Sequence, residues 1–248
     1  MYKIAKINFK SFYSETDKQI DSINNILWMF VKNGQIIEGW QVEKYNDTYL
    51  ATVCIVDDDA LDKKYYNKYI LEELENLEMK YEIMCDDPMA VDSCHCKEHS
   101  FYILAYKDDL GSPVICGDCG TEIPLIHVPY LFNEEEHYTI TNWQQIYKSV
   151  EELWIDSLSD RFTKRQIISP NSELNKRGME ICKELENRTG KPCYLLLVNP
   201  IRGLYEFSKN NKELYECPNC NGEFRFVEND AIDKVCDCCR LAFIDERN

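Results

Sequence analysis

Cys217-Pro-Asn-Cys220, followed after fifteen residues by Cys236-Asp-Cys-Cys239, is the stretch that decides the fold of the C-terminal region. Pairing Cys236 with Cys239 gives C-x2-C, a fifteen-residue insert and a second C-x2-C, which is the spacing of a four-thiolate zinc site. Two cysteines three positions apart on a tight turn can bind one ion, and two such turns complete a tetrahedron. Since four thiolates leave no open coordination position, we expect a structural Zn2+ in a zinc ribbon.

A second cysteine set lies in the middle of the chain, at Cys94-His-Cys96 and Cys116-Gly-Asp-Cys119. Cys116 and Cys119 form a regular C-x2-C turn that is followed by glycine. Their partners are open, because Cys94 with Cys96 gives an all-thiolate site with a tighter bite, whereas Cys96 with His99 gives the usual x2 spacing and a site of three thiolates and one imidazole. We favour Cys94 and Cys96, keep His99 as the reserve ligand, and expect a second structural Zn2+ in a zinc knuckle.

The same set raises the one enzyme hypothesis that the sequence offers, a zinc-dependent deaminase or hydrolase. Zinc deaminases carry a His- or Cys-x-Glu element and a later Pro-Cys-x-x-Cys. Cys96-Lys-Glu98 matches the first element, but Pro113 is not adjacent to Cys116, and two prolines in the following segment prevent the helix that deaminase ligands need. Glycine-rich phosphate loops, His-Glu-x-x-His and serine elbows are missing from the sequence. We therefore expect no enzyme and assign no catalytic residue.

Length and cysteine usage limit the class of protein. The 248 residues suffice for one or two domains plus small metal modules. No apolar run approaches twenty residues and the N-terminal residues lack an apolar signal core, so we expect no membrane span and a cytoplasmic protein. Thirteen cysteines in such a chain indicate metal binding rather than disulfides. Five cysteines fit neither set: Cys54, Cys85, Cys182, Cys193 and Cys238. We interpret Cys54, Cys182 and Cys193 as core thiols because their neighbours are apolar, and Cys238 as a bystander between two ligands.

The charge balance is strongly acidic, with 44 acidic against 28 basic residues and a formal net charge of -16. Nucleic-acid binders usually carry a basic face, so a basic protein partner ranks above nucleic acid. A single acidic cluster is more often a solvated loop than a binding site, and the argument rests on the whole chain. The candidate partner-binding residues are Asp57, Asp58, Asp59, Glu134, Glu135 and Glu136.

Apolar periodicity predicts an α+β fold in four segments. Residues 1–90 show the element order β-α-β-β-α-β, which is the ferredoxin-like arrangement. Later in the chain, Ser172 begins a predicted helix that Gly190 ends. The other segments are a zinc-knuckle insert at 91–130, a helical region with one strand at 131–200 and the C-terminal zinc ribbon at 201–248.

With both cysteine sets placed, the chain resembles a bacterial family of uncharacterised proteins described as containing a zinc ribbon and suggested to bind nucleic acid. The resemblance runs from about residue 90 to the end, and the family's C-x-C implies that Cys94 and Cys96 are ligands. At 124–127 the chain has Pro-Leu-Ile-His where the family tends to have Pro-Leu-Tyr-Arg, and the missing basic residue weakens a nucleic-acid role there. The stretches that carry the resemblance are Ser112-Pro-Val-Ile-Cys-Gly-Asp-Cys119, Ile123-Pro-Leu125, Trp143-Gln-Gln-Ile-Tyr147, Leu153-Trp154, Cys182-Lys-Glu-Leu-Glu186, Gly190-Lys-Pro-Cys-Tyr194 and the final Cys-x-x-Cys-Arg-Leu241.

Together these observations predict a non-enzymatic, acidic, zinc-stabilised protein-interaction module. Its sharpest form is an immunity or antitoxin-type protein that binds and neutralises a basic protein toxin, because complementary charge speeds such association. The alternative is a zinc-ribbon nucleic-acid-binding regulatory protein whose exposed sheet aromatics stack on bases, with Tyr2, Phe9, Tyr49 and Arg225 as candidates. The zinc-dependent deaminase or hydrolase ranks third.

Overall fold

The protein has a mixed α+β fold with two sheets and several helices. The computed structural model describes residues 2–90, 92–108, 110–197, 216–229 and 231–244. No helix in these ranges is long and apolar enough to cross a membrane.

The chain divides into two compact units. Unit 1 comprises Met1–Ser93 and Pro124–Tyr138, and unit 2 comprises Cys94–Ile123 and Thr139–Asn248. This division separates the last residues of the predicted insert 91–130 from its cysteines. The predicted segment 201–248 lies in part outside the described residues, and the four predicted segments remain a prediction.

Unit 1 follows the element order that the sequence pattern predicts. Its elements are β1 (Lys3–Ser11), α1 (Thr16–Lys32), β2 (Gln41–Tyr45), β3 (Thr48–Ile55), α2 (Lys68–Glu73) and β4 (Leu77–Asp86), with short 3-10 helices at Lys63–Tyr65 and Leu125–His127. The strands pair in the order β2-β3-β1-β4, and every neighbouring pair is antiparallel. The first and last strands of the unit therefore lie side by side.

Strand β1 shows why this sheet has one buried face. Ala5, Ile7 and Phe9 are fully buried, whereas Lys6 and Asn8 between them are exposed, as the two-residue period of a strand requires. Helix α1 packs into the same core with residues at the three- and four-residue spacing of one helix face. These residues are Ile23, Ile26, Leu27 and Phe30.

The second stretch of unit 1, Pro124–Tyr138, lies close to the backbone at the end of helix α1. Gly34, two residues beyond the helix, has a φ of 73°. A Cβ atom at Gly34 would lie 2.4 Å from the Cβ of Leu125. The N–H of His137 also donates to the carbonyl of Lys32 at 2.8 Å. Glycine at 34 is therefore required both by the left-handed backbone and by the neighbouring chain.

Unit 2 is built on a sheet to which widely separated segments contribute. Its elements are β5 (Tyr102–Leu104), β6 (Val114–Cys116), α3 (Tyr138–Ile155), α4 (Asp160–Ile168), α5 (Glu173–Thr189), β7 (Cys193–Leu196), β8 (Arg225–Phe226), β9 (Lys234–Cys236) and β10 (Leu241–Phe243). The strand order is β6-β5-β7-β10-β9-β8, and β7 pairs in parallel with both β5 and β10. The two cysteine-bearing segments thus belong to one sheet, joined by β7.

Helix α5 has the ends that its sequence predicts. The N–H of Asn175 donates to the Ser172 hydroxyl at 3.1 Å, which is an N-cap hydrogen bond, and Gly190 ends the helix with a φ of 69°. In the middle of the helix, a Cβ on Gly178 would lie 2.7 Å from a methyl carbon of Leu195 and 3.1 Å from the indole nitrogen of Trp143. The small residue thus lets α5 approach β7 and α3 closely.

Candidate metal centres

The four C-terminal cysteines that the sequence selects lie together. The Sγ atoms of Cys217, Cys220, Cys236 and Cys239 all lie within 4.8 Å of one another, and those of Cys220 and Cys236 are 3.6 Å apart. Sulfurs at about 2.3 Å from a tetrahedral Zn2+ are about 3.8 Å from each other. The four thiols are therefore spaced as ligands of a single ion.

Tight turns hold both pairs of this cluster. Cys217 donates its N–H to the carbonyl of Gly222 at 2.9 Å, and Asn221 donates its N–H to the carbonyl of Cys217 at 2.8 Å. Asn221, four residues after the first cysteine, has a φ of 55°. Arg240 stands at the same distance from Cys236 and has a φ of 54°. Each C-x2-C pair is therefore closed by a left-handed residue that turns the chain back along the strand.

The middle cluster brings its four predicted cysteines to the same separation. The Sγ atoms of Cys94, Cys96, Cys116 and Cys119 lie within 4.8 Å of one another, with 3.5 Å between those of Cys119 and Cys94. A second metal ion could be held here by four sulfurs. The structure thus supports the expectation of two four-cysteine clusters that could hold metal, without fixing which metal.

One half of the middle cluster repeats the turn of the C-terminal cluster. Gly120 donates its N–H to the carbonyl of Cys116 at 2.9 Å, and Cys116 donates its own N–H to the carbonyl of Thr121 at 2.9 Å. Gly120 has a φ of 76° and stands four residues after Cys116. The hydrogen bonds and the left-handed position match those of the Cys217 turn, so the two turns have the same construction.

The other half of the middle cluster is built differently. Cys96 donates its N–H to the Sγ of Cys94 at 3.3 Å, so the backbone of the C-x-C segment is hydrogen-bonded to the sulfur of its first cysteine. The Nδ1 atom of His99 lies 3.3 Å from the Sγ of Cys116 and 3.9 Å from that of Cys94. His99, Cys116 and Asp118 form a further group whose ligand atoms lie within 4.8 Å. The structure therefore places the reserve ligand beside two of the four sulfurs, while the four ligand atoms that lie within 4.8 Å of one another are those of the all-thiolate set.

Local hydrogen bonds favour ionisation of one thiol in each cluster. Burial disfavours the thiolate of Cys119, but the hydroxyl and backbone N–H of Thr121 outweigh it and lower the pKa of Cys119 to about 7. The backbone N–H of Gly222 likewise lowers the pKa of Cys220 to about 7. Burial instead raises the pKa of Cys116 to about 11. Since the thiolate is the metal ligand, each cluster has one thiol that is ready to bind near neutral pH.

Ion pairs anchor the second turn of the C-terminal cluster. Arg225 donates to both carboxylate oxygens of Asp237 at 3.0 Å, and its guanidinium lies 5.8 Å from the ring centre of Tyr194. Arg240 in the same turn donates to both carboxylate oxygens of Glu186 on α5, at 3.0 and 2.9 Å. Sequence reasoning missed these contacts because the partners are distant in the chain. They hold the turn between Cys236 and Cys239 against β7, β8 and α5.

The remaining cysteines lie apart from the two clusters. Cys182 and Cys193 are buried, as the sequence predicts for core thiols, and Cys54 is half-buried. Cys85 and Cys238 are exposed. Cys238 is absent from both four-sulfur groups although it stands next to Cys239, which agrees with its interpretation as a bystander.

Among the candidate partner-binding residues, Asp58 shares the cation Lys3 with Asp86. The Nζ atom of Lys3 is 3.4 Å from the carboxylate of Asp58 and 2.7 Å from that of Asp86. The register explains this contact, because Lys3 on β1 lies opposite both Ile55 on β3 and Asp86 on β4. Asp86, which the sequence already shows as part of an acidic pair with Asp87, therefore joins the acidic surface predicted from 57–59, and only the strand pairing could have indicated that the two lie together.

The neighbours of Asp58 also contact other side chains. The carboxylate of Asp57 is 3.2 Å from Nε2 of His127, and Asp59 forms an ion pair with Lys64. Lys3 and Lys64 neutralise part of the charge, but the three aspartates remain 40 to 67% exposed. The surface can still present carboxylate oxygens to a partner.

The second acidic cluster also belongs to unit 1. Glu135 pairs with Lys68 at 2.8 Å, and its carbonyl accepts a hydrogen bond from the side chain of Asn67 at 2.7 Å. Glu134 and Glu136 are half-buried. The sequence therefore selects two acidic clusters on one unit, one of them fixed in place by helix α2 and its N-cap.

The aromatic candidates for base stacking are core residues. Tyr2, Phe9 and Tyr49 are 4, 0 and 3% exposed, so their rings cannot stack on bases in this structure. Arg225 is bound to Asp237. The three rings therefore offer no stacking surface, whereas the side chain of Arg225 stays about half exposed within its ion pair.

Two family models match separate parts of the chain. A model described as a domain of unknown function, DUF2310, matches residues 96–198, and another so described, DUF8589, matches residues 1–84. No curated protein and no solved structure matches the chain. The match at 96–198 includes the middle turn and ends before the C-terminal cluster, and neither description names a zinc ribbon.

Proposed function

We propose that both clusters bind Zn2+ through four thiolates, the middle one as a zinc knuckle and the C-terminal one as a zinc ribbon, and that unit 1 is a ferredoxin-like domain. The sulfur separations and the three similar turns support the metal sites. The antiparallel strand order β2-β3-β1-β4 supports the domain assignment. Bound Zn2+ would contribute its binding free energy to folding.

The function that this arrangement supports best is that of a cytoplasmic, non-enzymatic protein-interaction module, an immunity or antitoxin-type protein that binds a basic protein toxin. The observation that supports this function most directly is the acidic surface of unit 1, where residues 57–59 lie near Asp86. A closed four-thiolate site leaves no position for a metal-bound water, so its role is structural.

Charge and an aromatic anchor would share the binding of such a partner. The net charge of -16 steers a basic protein toward the surface and raises the association rate. Cations of the partner would then replace contacts that Lys3 and Lys64 now make with the aspartates. Tyr138, which is 48% exposed and follows 134–136, can supply the apolar contact that charge alone lacks.

Substitution of the acidic residues tests this proposal. The tagged chain is used to retrieve proteins from a nuclease-treated lysate of the source organism, and the affinity of a retrieved basic protein is measured by calorimetry. We expect D57N/D58N/D59N to weaken binding at least ~10-fold, with E134Q/E135Q/E136Q weakening it further, and both to reduce the salt dependence. The retrieved protein should also arrest growth when it is expressed alone.

A matched control removes three exposed carboxylates of unit 2, in the variant E152Q/D156N/E180Q. This control should bind as the natural chain does. Equal affinity and equal salt dependence in all three variants, or a retrieved protein that is harmless when expressed alone, would contradict the proposal.

A further inference from the structure

A basic groove lies in unit 2 of this acidic protein. It is a cavity of about 650 Å³ between helix α4 and the start of α5. Its lining residues are Arg161, Phe162, Arg165, Gln166, Asn171, Ser172 and Glu173. The segment 160–177 contains five basic and two acidic residues, a net charge of +3, whereas the whole chain carries -16.

Helical spacing places the cations of α4 together. Arg161, Lys164 and Arg165 are related by three and four positions, so they share one side of the helix. The opposite side packs inward through Thr163 and Ile167, which are fully buried. The basic side is thus the solvent side of a helix whose position is fixed by its core residues.

These arginines differ from three of the other four that the structure describes. Arg188, Arg225 and Arg240 each bind a carboxylate at about 3 Å. Neither Arg161 nor Arg165 has a carboxylate within ion-pair distance among the described residues. Two exposed guanidinium groups without a protein carboxylate, facing one groove, are suited to bidentate contact with phosphate.

An exposed aromatic ring adjoins these cations. Phe162, which follows Arg161 in the chain, also lines the groove and is 53% exposed. Gln166, one turn later, has its side-chain oxygen occupied by the N–H of Leu174 at 3.1 Å. The carboxylate of Glu173 at the rim lies 3.8 Å from Lys176, which partly neutralises it. The groove therefore combines one exposed aromatic ring with two exposed arginines.

We propose that this groove binds a single strand of nucleic acid, with Arg161 and Arg165 contacting phosphates and a base stacked on Phe162. Aromatic platforms flanked by cations bind single strands with little sequence preference. A duplex hides the base faces that such a ring needs, so the single strand is the favoured occupant. The cavity volume lies in the range of about 300 to 1,000 Å³ that is usual for compact ligands, which fits one nucleotide unit at a time.

Fluorescence anisotropy of the zinc-loaded full chain with labelled 12-nucleotide oligo-U and oligo-dT tests the proposal. We expect saturable binding whose affinity falls as salt rises. F162A should weaken it by about 5-fold or more through loss of stacking. R161Q/R165Q should weaken it further and reduce the slope of log K against log salt by about 1.4, since each phosphate contact on a single strand contributes about 0.7.

The matched control is K183Q/R188Q, which removes the same charge from exposed positions farther along α5. It should bind as the natural chain does, and circular dichroism and zinc content should be unchanged in all variants. Equal weakening by the control, or no binding of either oligonucleotide at low salt, would overturn the proposal. So would stronger binding of a 12-residue oligoglutamate, because the groove would then be specific for acidic peptide.

Discussion

The two cysteine clusters share a ligand count and differ in how their ligands are held. The C-terminal cluster is made of two C-x2-C turns, each closed by a residue with positive φ. The middle cluster has one such turn, at Cys116, and a C-x-C bite with His99 beside it. A left-handed residue therefore closes every C-x2-C pair of the two clusters. In the C-x-C arm of the middle cluster, either Cys94 or His99 can complete the set of metal ligands.

The two clusters also differ in what surrounds them. The second turn of the C-terminal cluster is tied to the sheet and to α5 by Arg225 and Arg240. The C-x-C arm is joined to the segment that follows β6, because the N–H of Cys94 donates to the carbonyl of Glu122 at 2.7 Å. We therefore expect the C-terminal site to behave as one rigid unit and the middle site to tolerate the loss of one thiolate.

The largest expected effect is the loss of the C-terminal cluster. Cys236→Ser should reduce the zinc content from two ions to one, and β8 to β10 should lose amide-exchange protection, because structural zinc supplies about 10 kcal/mol or more of folding free energy in small modules. Zinc analysis by mass spectrometry with hydrogen exchange measures both. Cys238→Ser is the control, since Cys238 stands in the same turn outside the cluster, and loss of zinc from that variant would show that the ligand set is wrong.

Acidification should release both ions. The pKa values of Cys119 and Cys220, about 7 in the metal-free protein, lie below the ordinary thiol value. Their thiolates are therefore present above pH 7 and are lost as the pH falls through 7, where protons compete with the metal. The apparent zinc affinity should decrease as the pH is lowered, and more steeply below about pH 7. Competition with a chromophoric chelator measures this affinity.

The pH dependence of the zinc affinity also distinguishes the ligand sets of the two clusters. It is measured for each site alone, in C116S/C119S for the C-terminal cluster and Cys236→Ser for the middle cluster. Equal slopes would support four thiolates in both sites. A shallower slope at the middle site would indicate an imidazole ligand, because imidazole releases fewer protons near neutral pH than a thiol does.

Removing one arm of the middle cluster should reveal the reserve ligand. Cys94→Ser should keep a bound ion with reduced affinity, because Nδ1 of His99 lies 3.9 Å from the Sγ of Cys94 and 3.3 Å from that of Cys116. The double variant C94S/H99A should lose the ion altogether, and H99A alone should have a small effect. Complete loss in C94S alone, or no further loss in the double variant, would show that His99 cannot serve as a ligand.

The smallest expected effects concern the turns themselves. Gly120→Ala should destabilise the middle site by about 1 to 2 kcal/mol, because an alanine is strained in the left-handed backbone. Asn221→Gly at the equivalent position should change the C-terminal site by only a few tenths of a kcal/mol, since asparagine already tolerates that backbone. Chelator competition measures both, and an equal response would contradict the shared construction of the turns.

Local sequence chemistry predicted the features that depend on nearby residues. The cysteine spacing identified the C-terminal four-sulfur group and gave the middle one as the favoured of two ligand sets, and Ser172 and Gly190 identified the ends of α5. The two-residue and three-to-four-residue apolar periods predicted the element order of unit 1. Each of these signals operates within one turn or one strand, so the sequence alone carries it.

Long-range pairing was not predictable in the same way. Nothing in the sequence indicates that β7 joins both cysteine-bearing segments in one sheet, because strand neighbours are chosen by tertiary packing. The ion pair of Lys3 with Asp86 depends on strand register, and the approach of Leu125 to Gly34 depends on a contact between distant segments. The acidic clusters could be selected by composition, but their cation neighbours could not.

The most direct test of the central claim is the zinc content and coordination of the purified full chain, measured by elemental analysis and X-ray absorption at the zinc edge. Two zinc ions per chain are expected, each with four sulfur neighbours at about 2.3 Å. Fewer than two ions, iron in place of zinc, or an average shell with oxygen neighbours would contradict two closed four-thiolate zinc sites.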